Sequence, residues 1–259
     1  MVFRGTVEGR ISPWLSGVHE RTDHGRVKSD YKIVNGYDII MRIATWNVER
    51  LKHHAKTDVM LQAVEAANAD ILVLTETDSR FVPAYPYECH SSLLREIRPD
   101  YYRETENRVS IYSRFPVIKE YKTYDRYTAV CAELLTDRGN LLVYGTIMGI
   151  FGNRVASFNS DLEMQMSDIL RLSMEGHSLC VIGDFNLSFE DNYYYTKHGR
   201  NLVRQTFLDC GIDILTHAVP ECIDHIAVSK GFAGERAAVA EWNKDKSLSD
   251  HKGIVVEIN

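Results

Sequence analysis

Thr128-Ala129-Val130-Cys131-Ala132-Glu133-Leu134-Leu135-Thr136-Asp137-Arg138-Gly139-Asn140-Leu141-Leu142-Val143-Tyr144-Gly145-Thr146-Ile147 is the stretch on which the fold class turns. Two apolar runs, 128–135 and 141–147, flank a short polar turn, the pattern of a β-hairpin. Just upstream, Val109-Ser110-Ile111-Tyr112 reads as another strand. Three strands thus follow one another with no helix between them. A parallel βαβ repeat needs a helix after nearly every strand, so antiparallel neighbours are expected here.

Working outward, further strands are expected over 42–46, 71–75, 178–182, 223–228, 237–241 and 253–258. Two helices stand out. In one, Val59, Ala63, Ala66 and Ala67 fall near one face behind a cap at Thr57 or Asp58; in the other, Leu162, Met166, Ile169, Leu170 and Met174 repeat at helical spacing. A third runs around 202–208 and stops near Gly211. These pieces predict an α/β (α+β) protein: two mixed β-sheets packed face to face with helices outside, in one domain over 41–259. Residues 1–40 are polar and without sustained period, and read as an N-terminal extension.

Composition narrows the class. With 44% hydrophobic and 25% charged residues the chain can bury a sizeable core, and a formal charge of −6 argues against binding nucleic acid through bulk positive charge. A local basic groove is still compatible. The uncharged stretch 141–152 is far shorter than the ~20 apolar residues of a membrane span, so no membrane association is expected. The five cysteines form an odd set without a C-x-x-C pair, which points to reduced, buried thiols and a cytoplasmic setting.

Polar groups recur at strand ends, where a scaffold can aim them into one crevice. After the apolar run Val181-Ile182-Gly183, Asp184 and Asn186 are two apart and can share one water, the carboxylate as proton acceptor and the amide as orienter. An Asx turn is the bland alternative. Glu76 ends the apolar run 71–75 and suits a hard divalent cation, which needs only one or two carboxylates beside its waters; a solvated strand end is the common fate of such a glutamate. Asp224 alternates with Ile226 and Val228 on one face, so its carboxylate is expected to be partly buried and to want a donor, for which His251, following Asp250, is the distant candidate.

Met41-Arg42-Ile43-Ala44-Thr45-Trp46-Asn47-Val48-Glu49-Arg50-Leu51, Ile71-Leu72-Val73-Leu74-Thr75-Glu76, Val109-Ser110-Ile111-Tyr112-Ser113-Arg114-Phe115-Pro116, Gly183-Asp184-Phe185-Asn186, Ile223-Asp224-His225-Ile226 and Ser249-Asp250-His251 occur in this order. In that order they resemble the endonuclease/exonuclease/phosphatase superfamily, which includes pancreatic deoxyribonuclease, abasic-site endonucleases, inositol polyphosphate 5-phosphatases and neutral sphingomyelinases. The resemblance implies a four-layered sandwich and Mg²⁺-assisted phosphoester hydrolysis, with Mn²⁺ as a substitute. It implies Glu76 as principal metal ligand with Asp250 and Glu49, and Asn47 on phosphate and metal water. Asp184 would activate the attacking water and Asn186 position it, while Asp224 would support His251, a donor to the phosphate. Where many members carry a second histidine this chain has Tyr144-Gly145-Thr146-Ile147-Met148-Gly149; Asn153 and Arg154, a little further on, are the substitute phosphate contacts.

Two clusters mix cations with aromatics, as a phosphodiester backbone and its bases require. One is Arg95, Arg98, Tyr101, Tyr102 and Arg103; the other is Tyr193, Tyr194, Tyr195, Lys197, His198 and Arg200. The expected activity is a divalent-metal-dependent phosphodiesterase, a nuclease on DNA or RNA. The alternatives are hydrolysis of a small phosphorylated molecule, of the inositol phosphate or lipid headgroup type, and a binding module of the same fold.

Overall fold

Among the residues described, 40–149 and 152–259, the computed structural model has twelve strands. The expected extension falls, apart from Ile40, outside the described residues. In chain order the strands are β1 (Met41–Asn47), β2 (Ile71–Asp78), β3 (Tyr87–His90), β4 (Glu106–Ser113), β5 (Val117–Tyr121), β6 (Ala129–Thr136), β7 (Gly139–Ile147), β8 (Leu179–Asp184), β9 (Ile212–Ile214), β10 (Asp224–Ser229), β11 (Ala237–Trp242) and β12 (Gly253–Ile258). The helices are α1 (Thr57–Ala67), α2 (Phe158–Met174), α3 (Lys197–Asp209) and the single turn α4 (Lys230–Ala233).

The strands make two six-stranded sheets, ordered β11-β12-β1-β2-β4-β3 and β5-β6-β7-β8-β10-β9. Each is mixed, with one parallel pair: β1 beside β2 and β7 beside β8. Between the sheets lies an apolar core in which Ile43, Val73 and Ile111 share one layer with Val143, Ile182 and Ile226. Gly145 permits the close approach, because a Cβ there would lie 2.9 Å from a Val109 methyl. On the outer side of the first sheet Met60 and Val64 of α1 cover Trp46, Leu72 and Leu74. On the outer side of the second, Leu162, Ile169 and Phe207 of α2 and α3 cover Leu142, Tyr144 and Val181. The four-layered sandwich is thereby established.

Four details depart from the sequence reading. The 109–147 meander is divided between the sheets: β4 belongs to the first, and after Ser113 the chain crosses to build β5-β6-β7 in the second. Edge strands β3, β5 and β9 were not anticipated. The buried face of α1 is Met60, Val64 and Ala67, whereas Val59 is exposed, and neither Thr57 nor Asp58 caps the helix. On α2, Leu170 and Met174 point outward. Among the described residues no helix is long and apolar enough to cross a membrane.

The pairing directions put the C-terminal ends of β1, β2, β7 and β8 and the N-terminal ends of β10 and β12 at one end of the sandwich. Asn47, Glu76, Asp184, Asp224 and the loop of Asp250 and His251 lie at or beside these strand ends.

Candidate active site

Asp184, the last residue of β8, stands directly opposite Asp224, the first of β10, in an antiparallel pair. Both are buried. Two carboxylates on facing positions repel, and the consequence falls on Asp184: burial first, and then the Asp224 charge, push its pKa up to about 7. Its two oxygens are held separately, Oδ1 accepting the Asn186 backbone N–H (2.9 Å) and Oδ2 the Asn47 amide (3.3 Å).

Asp224 Oδ2 lies 2.6 Å from His251 Nδ1, while Asp224 Oδ1 is buried without a partner. Burial opposes a charged imidazole at His251, but the Asp224 charge and hydrogen bond, helped by Asp184, outweigh it and raise the pKa to about 10. His251 is therefore an imidazolium at neutral pH, with Nδ1–H donating to Asp224. The loop carrying it is fixed by Asn243, whose amide donates to the Ser249 and His251 carbonyls (2.8 and 2.7 Å), and by Ser249 Oγ donating to the Asn47 carbonyl (2.6 Å).

Glu49, Glu76 and Asp250 gather beside this core. Asp250 N–H donates to Glu49 Oε2 (2.9 Å), and Glu49 with Glu76 lines a cleft of about 460 Å³ that also contains Arg50, Lys52 and Arg103. Lys52 senses all three carboxylates: a hydrogen bond to Glu49, then the charges of Asp250 and Glu76, hold its pKa above the usual lysine value. Among the described residues no group of three His, Cys, Asp or Glu side chains could hold a metal ion by itself. An all-oxygen, partly solvated donor set does fit a hard cation that keeps waters and takes further ligands from a phosphate.

The backbone is bent where these groups sit. Glu49, Arg50 and Leu51 form a run with φ between 47° and 54°, and Glu76 and Asn186 have φ of 49° and 51°. Left-handed non-glycine residues each cost of order 1–3 kcal/mol and persist only where surroundings impose them. Here the Asn47 side-chain oxygen accepts the Glu49 N–H (2.9 Å), and Arg50 is paired with the buried Glu106 at 2.7 Å.

The expected amides and Arg154 are held by the following partners. Asn47 is fully buried, its amide N–H donating to Asp184 and its side-chain oxygen accepting the Glu49 N–H. Asn186 spends its amide N–H groups on the Met148 and Gly149 carbonyls, and Asn153 donates to the Asn186 carbonyl (2.8 Å). Arg154 is exposed with its guanidinium 5.4 Å from the Tyr194 ring. Thr146 and Met148, in the segment where many relatives place a second histidine, are both buried, so neither replaces it.

Sequence reasoning missed the Arg50–Glu106–Arg103–Asp78–Arg80 chain of ion pairs that backs the Glu49 cleft. Only the two carboxylates at the paired ends of β2 and β4, Asp78 and Glu106, hinted at it. Of the two cation–aromatic clusters, Arg103 reaches the Glu49 cleft, whereas Tyr102 is buried against Arg50 and Arg108. Tyr193 and Tyr194 line a second cleft of about 440 Å³ together with Asp224, Asp250 and His251.

The fold is shared with solved structures. An endonuclease/exonuclease/phosphatase from Beutenbergia cavernae is 14% identical with a TM-score of 0.64, over 85% of this chain and 71% of that one. The 3′ phosphatase NExo from Neisseria, bound to a product DNA hairpin, is 20% identical (TM-score 0.61; 85% and 99% covered). An AP endonuclease from Archaeoglobus fulgidus is 13% identical (TM-score 0.59; 85% and 99%). Comparison with curated proteins gives no match. The Endonuclease/Exonuclease/phosphatase family model matches residues 44–251, from β1 to His251 itself, and with the sandwich and its strand-end cluster in place, the chain belongs to that family.

Proposed function

We propose that this phosphoesterase-family protein is a metal-assisted phosphodiester hydrolase acting on nucleic acid. The observation that carries the reading is the buried Asp224–His251 pair, 2.6 Å apart, set across one strand pair from Asp184 and opening toward Glu49 and Asp250. That combination supplies a proton acceptor and a cationic donor side by side, held at different pKa values by their surroundings.

Asp184 takes the proton of the attacking water, and Asn47 and the Asn186 N–H fix its two oxygens for that task. His251, kept protonated by Asp224, presents Nε2–H to a phosphoryl oxygen and stabilises the charge that builds there as the new P–O bond forms and the ester P–O bond breaks. Asn186 and Asn153 act as positioning residues by pinning the loop after β8 to the loop after β7. Glu76, with Asp250 and Glu49, would hold Mg²⁺ or Mn²⁺, which when bound supplies Lewis-acid polarisation of the phosphate and stabilises the leaving oxygen. The DNA hairpin bound to the NExo neighbour supports the choice of substrate class.

The test is a panel of single-stranded, duplex and abasic DNA, RNA, inositol phosphates and a simple phosphodiester, each with Mg²⁺, Mn²⁺ or chelator. Metal-dependent cleavage of a nucleic acid is expected. Turnover confined to inositol phosphates would replace the proposed substrate, and no turnover on any member would favour a binding module.

A further inference from the structure

The 440 Å³ cleft beside His251 has a wall that the chemistry above does not use. Tyr193 lines it with 49% of its surface exposed, and Lys246, from the loop before β12, donates from Nζ to its hydroxyl (3.1 Å), 5.0 Å from the ring centroid. The segment that carries Tyr193 is tightly held. Ser188 N–H donates to the Tyr194 carbonyl (2.6 Å), the Ser188 hydroxyl accepts the Tyr194 N–H (3.1 Å), and Asp191 accepts the backbone N–H groups of Tyr193 (3.0 Å) and Glu221 (2.7 Å). The last bond ties Tyr193 to the Glu221 loop, which also lines the cleft. A half-exposed aromatic ring on a tightly held backbone, with a cation bonded at its hydroxyl and next to the proposed phosphoester site, has the attributes of a stacking surface.

We propose that Tyr193, with Lys246, is the platform for one unpaired nucleobase of the substrate, which makes the preferred substrate a single-stranded, frayed or terminal nucleotide. The inference rests on the nucleic-acid reading above and refines it. A base inside a duplex has both faces covered by its neighbours and must leave the stack to reach a side chain in a cleft. Inositol phosphates and other base-free esters have no π-face to offer this ring.

Equilibrium dialysis of the full chain, with chelator present so that nothing is turned over, compares thymidine 3′- and 5′-monophosphate with 2-deoxyribose 5-phosphate. At least one nucleotide should bind roughly 5- to 150-fold more tightly than the sugar phosphate, the range expected for one stacked base. Tyr193→Phe should keep most of that ratio, while Tyr193→Ala and Tyr193→Leu should bring it close to one. Equal binding of nucleotide and sugar phosphate by the unmutated protein, or a ratio that survives Tyr193→Ala, would overturn the assignment. The two readings fail separately: metal-dependent cleavage with a ratio of one removes the base platform alone, and a high ratio without any cleavage removes the hydrolase alone.

Discussion

At Asp184 and His251 the same buried surroundings move two pKa values in useful directions. Asp184 must be ionised to accept a proton, and its pKa is near 7; His251 must be protonated to donate, and it stays so up to about 10. Activity should therefore rise through neutral pH and hold until the alkaline limb, and a kcat/KM that declines between pH 7 and 9 would contradict the assignment. Asp224→Asn removes the charge that holds the imidazolium, so the alkaline limb should move toward the ordinary histidine value of about 6.5; a pH–rate profile with that limb unmoved would show that Asp224 does not set it. The Asp224–His251 partnership was legible because alternation in Ile223-Asp224-His225-Ile226 put a carboxylate on the apolar face, where it needs a donor. The orientations of Asn47, Asn186 and Asn153 were not legible. A sequence gives the amide but not the neighbouring backbone carbonyls that compete for it.

Strands β7, β8 and β10 convert those residues into a site, and two positions show how narrowly. Gly183 has φ of 132°, and a Cβ there would lie 2.1 Å from the Thr146 carbonyl oxygen, so Gly183→Ala should cost about 2–4 kcal/mol in denaturant unfolding; a loss below 0.5 kcal/mol would mean that the strand pair adjusts freely. His225, on the face of β10 opposite Asp224, is fully buried against Phe185 and Phe189, and its ring nitrogens bond Thr216 Oγ1 (2.9 Å) and the Leu187 carbonyl (2.9 Å). Burial lowers its pKa to about 4. The folded state thus resists a proton that the unfolded chain accepts near 6.5. His225 contributes stability that is full above 6.5 and is lost as pH falls toward 4. Between pH 7.5 and 5 the unmutated protein should lose about 2 kcal/mol more than His225→Gln, and equal losses in chemical denaturation at the two pH values would refute the point. Long apolar strands such as β2, β7 and β8 were readable because burial on both faces leaves continuous runs. Edge strands β3 and β5 were not, since Tyr87-Glu88-Cys89-His90 and Val117-Ile118-Lys119-Glu120-Tyr121 are mostly exposed and carry the polar mixture of loops.

Across the whole molecule, the sandwich brings Asn47, Asp184, Asp224 and His251 to one end, where the mixed-charge cleft near Glu76 and the tyrosine-lined cleft near His251 meet at Asp250 and Glu49. The layered architecture was legible from the meander and the two helices. The division of that meander between sheets was not, because the short Arg114-Phe115-Pro116 link after β4 resembles any other turn. If the Glu49–Glu76 cleft holds the cation, Glu76→Gln should raise the Mg²⁺ concentration for half-maximal rate at least about tenfold while the protein stays folded, and an unchanged Mg²⁺ titration would remove Glu76 from the ligand set. The most direct test of the central claim is cleavage of an end-labelled oligonucleotide by the unmutated protein and by Asp184→Asn, each with Mg²⁺ and with chelator. Cleavage is predicted only for the unmutated protein with Mg²⁺, with a fall of roughly 10²–10⁴-fold in Asp184→Asn; equal rates for the two proteins, or an undiminished rate in chelator, would contradict it.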